Sequence, residues 1–103
     1  MAISLTKNNF NEVVQDSEQP VLIDFYADWC GPCRMASKFV EEISQEYKDK
    51  VKVCKVNVDE EEELAREFKV SSIPTFVMIK DNTVRARRTG FAGKGSLIDM
   101  LEA

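Results

Sequence analysis

The strongest constraint on the fold of this chain comes from one nearly continuous apolar segment, VLIDFYA, at residues 21–27. Successive side chains of a β-strand point to opposite faces of the sheet, so a strand with this sequence is apolar on both faces. Such a pattern is typical of a central parallel strand that helices cover on both sides. The segment therefore predicts a layered α/β structure, and Asp24 is the one polar interruption in its buried strand.

Further apolar patterns place more strands and helices around this segment. Apolar residues from Met35 to Tyr47 recur every three or four positions, which predicts a long helix that runs to about Lys48. Asp59 is expected to cap a following helix, whose acidic first turn suits the positive end of the helix dipole. The other expected elements are strands at 3–5, 51–58, 74–79 and 83–88, a first helix at 6–17 capped by Thr6 or Asn8, and a last helix at 95–102. Together they predict an α/β domain with a mixed central sheet.

Length, composition and charge are those of one ordinary globular domain, residues 1–103, and a core of this size needs no metal or disulfide to hold it. The net charge of −4 argues mildly against nucleic acid as a partner. Residues 1–11 show no targeting pattern, and the longest uncharged stretch, 71–79, is too short to span a bilayer. We therefore expect a cytoplasmic monomer that binds neither nucleic acid nor membranes.

The histidine and cysteine counts narrow the chemistry. The chain has no histidine, which excludes Ser-His and Cys-His catalysis and any metal site that needs imidazole. Its three cysteines are Cys30 and Cys33, which form a C-x-x-C motif, and the separate Cys54. A zinc site of four thiolates lacks one ligand, and in a reducing compartment a close cysteine pair is more often redox-active or metal-binding than a structural bridge.

Four segments resemble the thioredoxin family in the order in which that family has them: WCGPC after VLIDFYAD, then KVNVD, SSIPTF and TGF. The resemblance extends over essentially the whole chain. It implies the thioredoxin fold, a central mixed sheet of about five strands flanked by four helices. It also implies reversible dithiol–disulfide chemistry on protein substrates, with no bound cofactor beyond the redox-active disulfide. The implied partner that recycles the protein is a thioredoxin reductase, either an NADPH-dependent flavoprotein or a ferredoxin-linked enzyme.

The chemistry of the cysteine pair agrees with this resemblance. A cysteine just outside a helix N-terminus faces unpaired N–H groups, which stabilise its thiolate, so Cys30 is the expected nucleophile. Cys33, one turn into the helix, would resolve the mixed disulfide. Gly31 permits close approach of the backbone, and Pro32 suits the first helical turn. The alternative is that the two cysteines form a purely structural disulfide across a turn or bind zinc.

Two charged residues are candidates for proton transfer. A lone carboxylate in an apolar strand is costly unless it is paired, protonated or used, so Asp24 is expected to accept the proton of Cys33. Burial should raise its pKa towards neutrality. Lys55 on the neighbouring strand resembles the lysine that the family has near this aspartate and could tune it, but an ordinary surface lysine is an equally good interpretation.

An apolar docking face is expected around Cys30. In the family, the proline that matches Pro74 is cis and packs beside the cysteines, which would leave the backbone of Ile73 free to pair with an extended substrate segment. The expected face comprises Trp29, Gly31, Pro32, Ile73, Pro74 and Gly90. The alternatives are a proline that simply starts a strand and a tryptophan buried at a strand end.

The sequence favours a reductant over the other uses of such a domain. The Gly-Pro pair places no cation beside Cys30, so the disulfide is relatively favoured and the dithiol gives up electrons readily. A disulfide oxidant or isomerase, and a binding subunit without turnover, are the competing hypotheses. Cys54 is expected to be an inert core thiol, and the arginines of residues 85–88 a solvated strand edge.

Overall fold

The computed structural model describes all 103 residues and contains one five-stranded sheet. The strands are β1 (Ile3–Ser4), β2 (Val21–Tyr26), β3 (Lys52–Asn57), β4 (Thr75–Lys80) and β5 (Thr83–Thr89). Their order across the sheet is β1-β3-β2-β4-β5, so the apolar strand β2 is central. β1, β3 and β2 run parallel, whereas β4 and β5 are antiparallel to their neighbours. The predicted mixed sheet is confirmed.

Helices cover both faces of the sheet. They are a short π-helical segment (Asn11–Gln15), α1 (Gly31–Glu46), α2 (Glu62–Glu67) and α3 (Lys94–Met100). On one face Leu22 of β2 packs in a cluster with α1 and α3, and on the other face Ile23 and Phe25 pack with α2 and the π-helical segment. Because side chains alternate along β2, Asp24 lies on the face of Leu22, towards α1. The architecture is that of the thioredoxin fold.

The first helix is shorter than the pattern predicted. The prediction placed it at 6–17 with Thr6 or Asn8 as its cap, whereas the helical segment covers only Asn11–Gln15. The hydroxyl of Thr6 accepts hydrogen bonds from the N–H groups of Asn8 and Asn9, so these residues form a turn before the helix. Local side-chain bonds of this kind compete with the helical ladder.

One other local prediction was wrong. Asp59 does not cap α2, which begins at Glu62, because Asn57 accepts the N–H groups of Asp59 and Glu60 and holds them in a turn. Met35 belongs to the apolar pattern that predicted the long helix, yet 67% of its surface is exposed. It lies at the edge of the buried stripe of α1, where helical spacing alone does not determine burial.

No helix in the structure is long and apolar enough to cross a membrane.

Candidate active site

The cysteine pair lies at the junction between β2 and α1. Cys30 is the N-cap residue of α1, with an extended backbone at φ −86° and ψ 115°, and Pro32 lies in the first turn. The Cys30 Sγ accepts a hydrogen bond from the N–H of Cys33 at 3.2 Å. The two cysteines form a disulfide, and their Cα atoms are 5.2 Å apart. One of the N–H groups that a helix start leaves unpaired is therefore aimed at the sulfur of Cys30.

This placement favours a negative charge on Cys30. The start of α1 supplies a directed N–H group and the positive end of the helix dipole, and both stabilise a thiolate there. Only 5% of the Cys30 surface and 3% of the Cys33 surface is exposed, and both pack with Ala27 in a small apolar cluster. The pair is thus accessible only over a small patch at the protein surface.

The backbone beside Cys30 is open to a partner. The Ile73–Pro74 peptide is cis, and the carbonyl oxygen of Ile73 lies 3.9 Å from the Cys30 Sγ. The carbonyl of Pro74 accepts the N–H of Gly90 at 2.7 Å, which connects this loop to the end of β5. The N–H of Ile73, in contrast, donates to no group of the chain. Ile73 therefore retains a free donor next to the reactive sulfur.

An apolar groove adjoins the cysteine pair. Trp29 is 69% exposed rather than buried at a strand end, and its indole N–H donates to the Asp59 carboxylate at 2.8 Å. Trp29 and Ile73 line a groove of about 150 Å³. Pro32, two residues after Cys30, is exposed, and so is Gly90, which is hydrogen-bonded to Pro74; Gly31 is half-buried. Val58, Val70 and Ser71 complete the groove; the sequence pattern did not single them out.

Asp24 is buried and incompletely paired. Only 5% of its surface is exposed, and its Oδ1 has no hydrogen-bond partner. Burial raises the pKa of Asp24 to about 7, with Lys55 acting to lower this pKa and Glu41 to raise it. Lys55 stands directly opposite Asp24 in the register of β2 and β3. Asp24 is therefore an acid that can gain or lose a proton near neutral pH.

A small cavity joins this carboxyl to the cysteine pair. Its volume is about 40 Å³, enough for a water molecule to connect two polar groups. The residues that line it are Asp24, Tyr26, Cys33, Ser37, Val40, Glu41 and Lys55. The cavity thus brings together three of the four residues predicted to carry the chemistry; the fourth, Cys30, is bonded to Cys33.

Glu41 and Ser37 were not predicted from the sequence. Both lie on α1 at four-residue steps after Cys33, and residues spaced in this way share a face of a helix. Once Cys33 is placed near the start of α1, that spacing is a signal that could have identified them.

The remaining cysteine does not belong to the site. Cys54 lies fully buried in β3, and burial raises the pKa of its thiol to about 12. No group of three or more Cys, Asp and Glu side chains in the structure could hold a metal ion.

Comparisons with known proteins agree with this geometry. The family model described as Thioredoxin matches residues 1–103. Curated relatives include a thioredoxin of Rickettsia felis, 42% identical over 98% of this chain and 96% of its own length, and a thioredoxin of Pseudomonas aeruginosa, 37% identical over 98% and 94%. Thioredoxin 1 of a Nostoc species is 43% identical over 98% of this chain and 94% of its own length. Matches that cover the whole domain, including its paired cysteines, establish that this chain belongs to the thioredoxin family of protein thiol–disulfide oxidoreductases.

Proposed function

We propose that the protein works as a reductant of protein disulfides, with Cys30 as nucleophile and Cys33 as resolving thiol. The Cys30 thiolate attacks one sulfur of a substrate disulfide, the substrate S–S bond breaks, and one substrate thiolate leaves. Cys33 then attacks the Cys30 sulfur, which forms the Cys30–Cys33 bond and releases the second substrate thiolate. Two electrons pass from the protein dithiol to the substrate. The observation that carries this proposal is the hydrogen bond from the start of α1 to the Cys30 Sγ.

Asp24 accepts the proton of Cys33 in this scheme. The resolving thiol must lose its proton to become a nucleophile, and Asp24 lines the same cavity with an unpartnered oxygen. A pKa of about 7 lets this carboxyl accept a proton and later release it. Lys55 supports the ionised form of Asp24 from the neighbouring strand, and the proton passes through a water that the cavity can hold.

Substrates dock as extended segments beside the cis proline. The free N–H and the carbonyl of Ile73 can pair with substrate backbone, as when a strand is added to a sheet. The groove between Trp29 and Ile73 would hold an apolar substrate side chain next to the disulfide. Gly31, Pro32 and Gly90 complete this docking face with small or apolar surfaces, whereas Pro74 is buried and contributes through its cis bond to Ile73.

The direction of electron transfer follows from the dipeptide between the cysteines. Gly31 and Pro32 carry no charge, so the Cys30 thiolate lacks the extra stabilisation that would make the pair an oxidant. The oxidised protein is then recycled by a thioredoxin reductase, either an NADPH-dependent flavoprotein or a ferredoxin-linked enzyme. We place this reaction in the cytoplasm and expect a monomer that binds neither nucleic acid nor membranes.

The test is the equilibrium reduction potential of the Cys30–Cys33 couple, measured against a dithiol buffer and followed by Trp29 fluorescence. We expect a potential of about −270 mV, which is typical of thioredoxin. A value between about −180 and −120 mV would instead indicate an isomerase or oxidant. If no two-electron transition occurred, the domain would be a binding module without turnover.

Cysteine variants test the assigned roles. Cys30→Ser should abolish disulfide reduction, whereas Cys33→Ser should accumulate a mixed disulfide with substrate that mass spectrometry detects. Cys54→Ala is the matched control, because it removes a thiol that lies outside the site and should leave reduction unchanged. Accumulation of the mixed disulfide on Cys33 in Cys30→Ser would reverse the assignment.

A further inference from the structure

Glu41 is a second carboxylate at the Asp24 cavity that the scheme above does not use. It is half-buried on α1 and lines the cavity together with Asp24, Cys33 and Lys55. Its Oε1 accepts the N–H of Ala2 at 2.8 Å, a contact between residues 39 positions apart. The N-terminal segment therefore holds this carboxylate at the edge of the cavity instead of leaving it free to turn into solvent.

Asp24 and Glu41 line the same small cavity, which holds little solvent. The cavity holds about 40 Å³, so few water molecules can screen the charges around it. In such a setting the interaction between charges is several times stronger than in bulk water. A negative charge fixed here makes ionisation of Asp24 less favourable, and the positive charge of Lys55 makes it more favourable. Consistent with this, Glu41 contributes to the raised pKa of Asp24.

The other groups around the Asp24 carboxyl do not replace Glu41. On β4 the residue opposite Asp24 is the uncharged Phe76. β2 contributes the hydroxyl of Tyr26, and burial is the main cause that raises the pKa of this group. The remaining titratable and charged groups that line the cavity are Cys33 on α1 and Lys55 on β3, and the ammonium group of Met1 precedes Ala2 in the chain. Glu41 is therefore the only other carboxylate lining the cavity.

We propose that Glu41 is a positioning residue for proton transfer: its fixed negative charge at the mouth of the cavity sets the pH range in which Asp24 exchanges a proton with Cys33. This inference rests on the proposed role of Asp24. Glu41 touches neither sulfur in the scheme and acts only through Asp24. Lys55 and Glu41 line the same cavity as the buried acid and act on it with charges of opposite sign.

Glu41→Gln is the variant that tests this role, with Glu42→Gln as its matched control. Glutamine keeps the oxygen that accepts the Ala2 N–H but removes the charge. Glu42 is the next residue of the same helix, and its carboxylate pairs with Lys94 at the surface. Both variants therefore change the net charge equally, and only Glu41→Gln changes the charge at the cavity.

The first readout is the titration of Asp24 itself. Oxidised protein labelled with ¹³C at the aspartate carboxyl carbons is titrated by NMR, and the Asp24 signal is assigned by its absence in Asp24→Asn. The oxidised state is used because its Cys30 and Cys33 do not titrate. We expect Glu41→Gln to lower the midpoint of Asp24 by about half a pH unit or more, and Glu42→Gln to leave it in place. An unchanged midpoint in Glu41→Gln, or equal shifts in both variants, would overturn the inference.

The second readout is the pH profile of the resolving step. Reduced protein is mixed with Ellman's disulfide in a stopped-flow instrument, and the second release of the coloured thiol reports the attack by Cys33. We expect the rise of this rate with pH to move to lower pH in Glu41→Gln, in step with the Asp24 midpoint. If the midpoint moved but the rate profile did not, the role of Asp24 in proton transfer would be wrong, and the inference with it.

Discussion

Replacing Asp24 with asparagine should change how the stability of the protein depends on pH. Burial raises the pKa of Asp24 from 3.8 to about 7 in the folded protein, whereas the unfolded chain exposes this carboxyl to water. A difference of that size corresponds to about 4 kcal/mol between the neutral and ionised forms. Asparagine has nearly the same shape and cannot ionise. Ionisation of buried Asp24 therefore lowers the free energy of unfolding of the wild-type protein at neutral and alkaline pH, and the variant should not show this loss.

The sign follows from proton binding. Between pH 4 and 7 the folded state keeps the Asp24 proton that the unfolded state has already lost, so the free energy of unfolding falls as pH rises. This loss is nearly absent below pH 4 and is complete above pH 7. The free energy of unfolding of Asp24→Asn, relative to that of wild type, should therefore rise by about 4 kcal/mol from pH 4 to above pH 7. This change with pH is expected whichever protein is the more stable at pH 4.

Urea unfolding of the two oxidised proteins measures this difference. Curves are recorded from pH 4 to pH 8.5 by far-ultraviolet circular dichroism, with the disulfide intact. Subtracting the two free energies cancels the titrating groups that do not interact with Asp24, because both proteins share them. A difference between the two proteins that stayed constant across the range would refute the reasoning, since it would mean that Asp24 titrates alike in the folded and unfolded chains.

Two further predictions concern Cys54 and Arg87, which lie away from the site. In the reduced native protein, a thiol reagent should modify Cys30 but leave Cys54 untouched until urea is added, because Cys54 is fully buried with a pKa of about 12; modification of Cys54 at the rate of Cys30 would contradict this. Arg87 donates hydrogen bonds from its guanidinium to the carbonyls of Phe68 and Lys69, just after α2. Arg87→Ala should therefore lower the free energy of unfolding by about 1–2 kcal/mol, whereas Arg85→Ala, on the same strand but without such bonds, should cost less than about 0.5 kcal/mol. Equal losses in these two arginine variants, measured in urea, would show that the bonds of Arg87 do not stabilise the end of α2.

The fold was predictable where the pattern of apolar residues in the sequence matches the pattern of buried residues in the structure. β2 is buried on both faces along almost its whole length, and its nearly continuous apolar sequence allows few other structures. The long helix after Cys33 was predictable because its apolar stripe extends over several turns. The motif around the cysteines then gave Cys30, Cys33 and Asp24, since a lone aspartate in such a strand is conspicuous.

Features that depend on distant contacts were not predictable. Asn57 and Asp59 both have side chains that can accept backbone N–H groups at a turn. In the structure Asn57 accepts the N–H of Asp59, and the Asp59 carboxylate instead accepts the indole N–H of Trp29, 30 residues away. Glu41 resembles any solvated glutamate of an amphipathic helix until the N-terminal segment packs beside it. The five-residue helical segment at Asn11–Gln15 is too short for helical periodicity to define its bounds.

The central position of β2 also has a dynamic consequence. β2 has neighbours on both sides, and its side chains are almost entirely buried, whereas β5 is an edge strand with mostly exposed side chains. Amides of β2 should therefore exchange with deuterium only through global opening, and those of β5 through local fraying. Asp24 lies on β2, and Cys30 follows it by a short loop, so the reactive groups share its rigidity. The conformational adjustment needed to bring two disulfides together must then come mainly from the substrate, which favours partners whose disulfide lies in a segment that can open locally.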